Sequence, residues 1–191
     1  LFTTASNYTN PKRHRTKFIA VRYGNVLASS NSVVPKFIEQ IKNGGELTIT
    51  DFSMTRFNIT MNQAMKLIFD SIKLGKGGEI FVPKLKSYKL ETLKDSLFDV
   101  FKKSINIKKI PVRPGEKFHE SLISEEELRN TYEINDYYVI VDKQINQDTF
   151  SKWDCLEETK RTEQYSSDKV ELLTKDELIE ILINEKLVKN D

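Results

Sequence analysis

Redox and proton-transfer chemistry leaves marks in a sequence, and this chain can be searched for them. Backbone approaches a dinucleotide pyrophosphate closely only where a strand turns into a helix through spaced glycines. The close glycines here, Gly44-Gly45 and Gly75 with Gly77-Gly78, follow helical stretches instead of opening them, and read as helix stops. A tyrosine with a lysine four residues on would set a phenol and an ammonium on one helix face for proton transfer. Tyr132, Tyr137 and Tyr138 have no lysine at that distance, and Asn10-Pro11 breaks any helix between Tyr8 and Lys12. The one cysteine, Cys155, excludes an intrachain disulfide. With two histidines, His14 and His119, far apart in sequence, no metal site is expected.

The elements that would position any site are legible in the pattern. Of 191 residues, 38% are hydrophobic and 30% charged, a mix that can bury a core. A net charge of +2 is too close to neutral to argue for nucleic acid, and pairs such as Lys102-Lys103 and Lys108-Lys109 read as solvated faces. No apolar run approaches the roughly 20 residues that cross a bilayer. No signal-peptide pattern is visible, and a cytoplasmic location is expected.

Lys17–Val26 reads as a buried strand, Ser32–Asn43 as a Ser-capped helix with proline in its first turn, and Leu47–Thr50 and Phe57–Thr60 as short strands. Asn62–Leu74 carries Ala64, Met65, Leu67, Ile68 and Ile72 at helical spacing. Strands are expected at Glu79–Val82 and Ile105–Val112, and an amphipathic helix over Leu90–Lys103. Beyond Arg113-Pro114-Gly115, a short helix is expected over Glu116–Ile123, a strand over Asp136–Val141, and an irregular stretch over Gln144–Lys169. Thr174, with Glu177 three residues later, starts a last helix. Strands alternating with helices predict an α/β protein with some parallel sheet.

Three segments fall in order and spacing. The first is Val21-Arg22-Tyr23-Gly24-Asn25-Val26 with Ser32-Val33-Val34-Pro35 and Phe37. The second is Leu47-Thr48-Ile49-Thr50-Asp51 with Met54-Thr55-Arg56-Phe57. The third is Gly78-Glu79-Ile80-Phe81-Val82-Pro83-Lys84 with Arg113-Pro114-Gly115-Glu116-Lys117 and His119-Glu120. Together they resemble the CapD-type polysaccharide biosynthesis proteins of the extended short-chain dehydrogenase/reductase superfamily. The Phe-Val-Pro-Lys segment and Tyr165-Ser166-Ser167 look most like the inverting UDP-N-acetylglucosamine 4,6-dehydratases.

The resemblance implies a partial NAD(P)-binding Rossmann-like fold joined to a small mixed α/β substrate-binding domain. Residues 1–43 would be the remnant of the first, 44–125 the nucleotide-sugar region, and 126–191 a C-terminal extension. The Gly-rich half, the catalytic residues and most of the NADP contacts would lie upstream of Leu1, with Leu1–Thr9 the end of the catalytic helix. The intact enzyme would oxidise C4 of a UDP-sugar, eliminate water across C5–C6, return the hydride to C6, and form a homo-oligomer. Alternatives are another epimerase or reductase of the superfamily, or a non-catalytic UDP-sugar-binding remnant.

On this resemblance Asn25 contacts ligand, its amide able to donate and accept, and Ser32, Val33 and Val34 offer a helix N-terminus near phosphate. Thr48 and Thr50 lie on the uracil-side strand. Arg56 and Arg113 fork onto the diphosphate, and Glu116 accepts from ribose hydroxyls, aimed by the Pro114-Gly115 turn. His119 is expected to pack or cap. Ser30-Asn31 stands where the family usually has Arg-Gly, and Phe52 where it has Pro, which bears on sugar preference.

Overall fold

The computed structural model describes residues 16–30, 32–141, 153 and 155–188. In chain order the elements are β1 (Ala20–Val21), α1 (Val33–Asn43), β2 (Leu47–Ile49), β3 (Thr55–Phe57), α2 (Met61–Leu74), β4 (Ile80–Pro83), β5 (Ser87–Lys89), α3 (Leu90–Val100) and β6 (Ile107–Lys109). They continue with β7 (Ser121–Ile123), α4 (Glu125–Leu128), β8 (Thr131–Ile134), β9 (Tyr137–Ile140), β10 (Glu157–Glu158), β11 (Tyr165–Ser166) and α5 (Lys175–Asn184). Leu1–Thr9 lies outside the described residues.

These elements gather into two units. One takes the stretch ending at Tyr23, Asn62–Lys84 and Ser121–Tyr165; the other takes Gly24–Met61, Leu85–Glu120 and the stretch from Ser166. The chain crosses between them repeatedly, so boundaries at 43 and 125 do not coincide with the units. Consecutive segments pair through strands remote in sequence, which no local pattern reveals.

The first unit is built on a five-stranded sheet of order β1-β4-β9-β8-β10. β1 runs parallel to β4, and the remaining neighbours are antiparallel. β8 and β9 form a hairpin whose register, Ile134 opposite Tyr137, leaves Asn135-Asp136 as the turn, with Asn135 at φ 51°. Phe81, Tyr132, Ile134, Tyr137 and Val139 pack with Leu67 of α2 into one core. α2 turns Ala64, Leu67 and Ser71 inward but leaves Met65, Phe69 and Ile72 exposed, so its apolar periodicity overstates what it buries.

In the second unit α1 buries Val34, Phe37, Ile38 and Ile41, the i, i+3, i+4, i+7 stripe of an amphipathic helix. Gly44 ends it at φ 70°, its N–H returned to the carbonyls of Gln40 and Ile41. Leu90, Leu93 and Leu97 of α3 and Leu178 and Leu182 of α5 complete the core with Leu47, Ile49 and Tyr88. α5 starts with the expected reciprocal cap between Thr174 and Glu177. Two short ribbons frame this core: β2 parallel to β6, and β3 antiparallel to β5.

Four expectations change, one being the irregular stretch over Gln144–Lys169, which holds β10 and β11. The strand over Lys17–Val26 shortens to β1, with Val26 bridging separately to Ile59. The helix over Glu116–Ile123 is absent; the chain there is irregular and then forms β7. Arg56 opposite Tyr88 and Phe57 opposite Ser87 place the second short strand at Thr55–Phe57, two residues earlier than read.

Candidate functional site

The second unit encloses a cavity of about 240 Å³. Asn25, Ser32, Val33, Val34, Thr48, Thr50, Arg56, Arg113 and Glu116 all line it, together with a more apolar side formed by Phe37, Ile49, Tyr88 and Leu90. The nine residues that the resemblance assigns to the ligand therefore line one space, carried by elements as far apart in sequence as the N-terminus of α1 and the loop after β6.

The positioning of each follows from local structure. Ser32 occupies the N-cap of α1 in extended conformation, yet its side chain makes no capping bond, and its buried Oγ has no partner among the described residues. Thr48 is held by Gln40 of α1, whose amide donates to the Thr48 hydroxyl at 2.8 Å and accepts from its N–H at 3.1 Å. Across the cavity, Glu116 N–H donates to Arg113 O at 3.0 Å, closing a turn around Gly115 at φ 80°. The Glu116 carboxylate accepts from Arg113 N–H at 3.1 Å and from the Thr50 hydroxyl at 3.3 Å. Pro114-Gly115 thus does set Arg113 and Glu116 side by side, with the Arg113 side chain exposed.

Arg56 is placed differently. Its Nη1 donates to the carbonyls of Thr55 at 2.8 Å and Phe118 at 3.1 Å, and its Nε lies 3.9 Å from Glu120. Of five guanidinium hydrogens, two are spent on backbone, so Arg56 meets a ligand with fewer donors than Arg113. Glu120 is the organiser of this corner. Its carboxylate accepts from Phe57 N–H at 2.9 Å and from the Asn25 amide at 3.2 Å. Burial raises its carboxyl above the usual range, opposed by the Phe57 N–H and the Arg56 charge. Gly24 makes this approach possible, since a Cβ there would sit 2.9 Å from Phe57 Cβ and 3.3 Å from Glu120 Oε2. His119 packs as expected: Nδ1 and the Thr55 hydroxyl are 2.8 Å apart, and that hydroxyl also meets Ser167 Oγ at 2.6 Å.

The family model described as polysaccharide biosynthesis protein matches residues 1–142. The chain belongs to that family. Among relatives of this polysaccharide biosynthesis protein, a UDP-glucose 4-epimerase of Rickettsia rickettsii is 44% identical over 65% of the chain and 37% of its own length. An inverting UDP-N-acetylglucosamine 4,6-dehydratase of Campylobacter jejuni is 41% identical over 73% of the chain and 40% of its own length. The X-ray structure of Pen from Bacillus thuringiensis superposes with a TM-score of 0.84 at 32% identity, covering 98% of this chain and 55% of Pen. The chain spans about half or less of these proteins' lengths.

The described residues of this polysaccharide biosynthesis protein do not fit a nicotinamide dinucleotide. Gly77 and Gly78 have positive φ, but the Glu79 carboxylate already accepts the N–H groups of Lys76 and Gly77, at 2.7 Å for the closest Gly77 contact. That nest of amides is filled from within. One Tyr-x-x-x-Lys spacing escapes the sequence reading, Tyr165 with Lys169. It lies on a strand and turn, and the buried Tyr165 hydroxyl donates to Pro83 O at 3.1 Å, so it forms no helical proton-transfer pair. Arg22, within the Arg-Tyr-Gly-Asn motif, serves the fold of the first unit instead: it forks onto Glu127 with both contacts at 2.9 Å and donates to Leu122 O at 2.7 Å. No helix among the described residues is long and apolar enough to cross a membrane.

Proposed function

We propose that this chain is the UDP-sugar-binding part of a nucleotide-sugar 4,6-dehydratase, converting UDP-N-acetylglucosamine to a 4-keto-6-deoxy UDP-sugar. The observation that supports it is the cavity: nine residues from separate stretches line one space that carries two guanidinium groups, a carboxylate and a helix N-terminus. Small-molecule sites run from roughly 300 Å³ upward, so a space of about 240 Å³ suits the nucleoside diphosphate end of such a ligand better than the whole.

In this reading Arg113 forks onto the diphosphate from the exposed side, and Arg56 adds charge from a fixed position. The first turn of α1 presents backbone N–H groups to the same phosphates. Glu116 accepts from ribose hydroxyls, and Thr48 and Thr50 border the base. Asn25, its amide N–H held by Glu120, turns its carbonyl oxygen toward the ligand. The chain's own contribution is binding and orientation. NADP belongs to the intact enzyme in this proposal, and no step is assigned to it here because the described residues offer it no cradle.

A C4 epimerase is the second reading, supported by the 44% identity of the Rickettsia rickettsii relative. Both are tested on a polypeptide joining this chain to the further stretch its relatives possess. With UDP-N-acetylglucosamine, a 4-keto-6-deoxy product supports dehydration, a C4-inverted sugar supports epimerisation, and neither product overturns the proposal.

A further inference from the structure

Tyr88 was not singled out by the sequence, and the nucleotide-binding reading does not use it. It lies on β5 directly opposite Arg56 on β3, so the two side chains stand on one face of the ribbon. Both line the cavity. Tyr88 is 4% exposed, and no described residue makes a hydrogen bond to its hydroxyl. The ring packs in the core of the second unit, while the hydroxyl is left able to donate to a ligand oxygen in the cavity. Its charged neighbours are Arg56 and Glu120.

Arg56 has a shortage that Tyr88 makes good. Both Nη1 hydrogens of Arg56 are committed to Thr55 O and Phe118 O, so a phosphate reaching it meets charge but an incomplete set of donors. An O–H beside that guanidinium supplies one more. Burial raises the phenol above its ordinary range, so it stays a donor throughout neutral pH. Ser32 brings a second hydroxyl to the same cavity, its buried Oγ neither capping α1 nor finding a partner among the described residues.

Resting on the nucleotide-binding reading above, we infer that Tyr88 is a specificity-determining residue that donates its hydroxyl to a phosphate oxygen of the bound nucleotide beside Arg56. The site would then distinguish phosphorylated ligands by hydrogen bonding as well as charge.

Tyr88→Phe removes the oxygen and keeps the ring. Calorimetry on the purified chain with UDP and with uridine separates the possibilities. The inference expects roughly tenfold weaker UDP binding by Tyr88→Phe, unchanged uridine binding, and a melting temperature equal to or above the wild type. Unchanged UDP affinity would overturn it. So would an equal loss for uridine, because the residue would then be shaping the cavity generally. A wild-type chain that binds neither ligand would overturn the nucleotide reading itself, and this inference with it. If Tyr88→Phe melts lower, Tyr88→Trp, which fills the space and carries a donor, is measured beside it; UDP affinity recovered relative to Tyr88→Phe supports the donor role, and none recovered overturns it.

Discussion

Replacing Arg22 by alanine should loosen the first unit and leave nucleotide affinity unchanged. Arg22 makes two 2.9 Å contacts to the Glu127 carboxylate and a 2.7 Å bond to Leu122 O. Glu127 also closes the capping box of α4 through Ser124. Fully buried, the loss of such a charged partner costs about 1.5–3 kcal/mol. The two side chains keep 34% and 30% of their exposure, so water screens the pair, and exposed pairs contribute about 0–1 kcal/mol. An intermediate loss of about 1–2 kcal/mol follows, a rise of roughly 5- to 30-fold in amide exchange across Glu127–Ile134. The Arg22 hydrogen bonds are the main cause holding the Glu127 carboxyl below its usual range, against burial. The pair's stabilisation is therefore complete above the ordinary glutamate pKa and is lost as pH falls through the lower folded value. Arg22→Ala should show less of that acid sensitivity. Exchange at wild-type rates together with lost UDP affinity would refute this, and would make Arg22 a ligand contact.

Arg113→Ala should weaken UDP binding by about 1.5–3 kcal/mol in calorimetry, with Arg113→Lys recovering part, because an ammonium keeps the charge without the fork; an unchanged affinity would remove Arg113 from the site. Ala28 lies beside the cavity at φ 61°, a conformation that glycine adopts without strain. Ala28→Gly should gain about 0.5–1 kcal/mol in urea unfolding, and a loss would show that the strain is absent. Incubated with UDP-N-acetylglucosamine and NADP, this chain should form no 4-keto-6-deoxy sugar, since its described residues offer neither cofactor cradle nor proton-transfer pair; turnover above buffer would contradict that.

What was legible in the sequence was mostly local. The Thr174 cap and the Gly44 stop follow from side-chain chemistry within one turn, and both appear in the structure. The β8–β9 hairpin was half seen. Asn135-Asp136 is a good two-residue turn, but the charged run before it hid Thr131–Ile134 as a strand. Glu116–Ile123 failed as a helix because its polar groups are claimed from elsewhere: Glu116 by Thr50 and Arg113, Glu120 by Phe57 and Asn25. The cavity-lining residues came from the resemblance, not from pattern. Tyr88 was invisible because its meaning depends on facing Arg56 across two strands separated by some thirty residues, and the engagement of Arg56 by backbone carbonyls has no sequence signature.

The central claim is that UDP occupies the cavity of the second unit. Amide chemical shifts of the labelled chain, followed by NMR as UDP is added, test it residue by residue. The account predicts saturable shifts at Asn25, Ser32, Val33, Val34, Thr48, Thr50, Arg56, Tyr88, Arg113 and Glu116, with Tyr132, Val139 and Glu127 still. Shifts gathered at those last three, or none at saturating UDP, would contradict it.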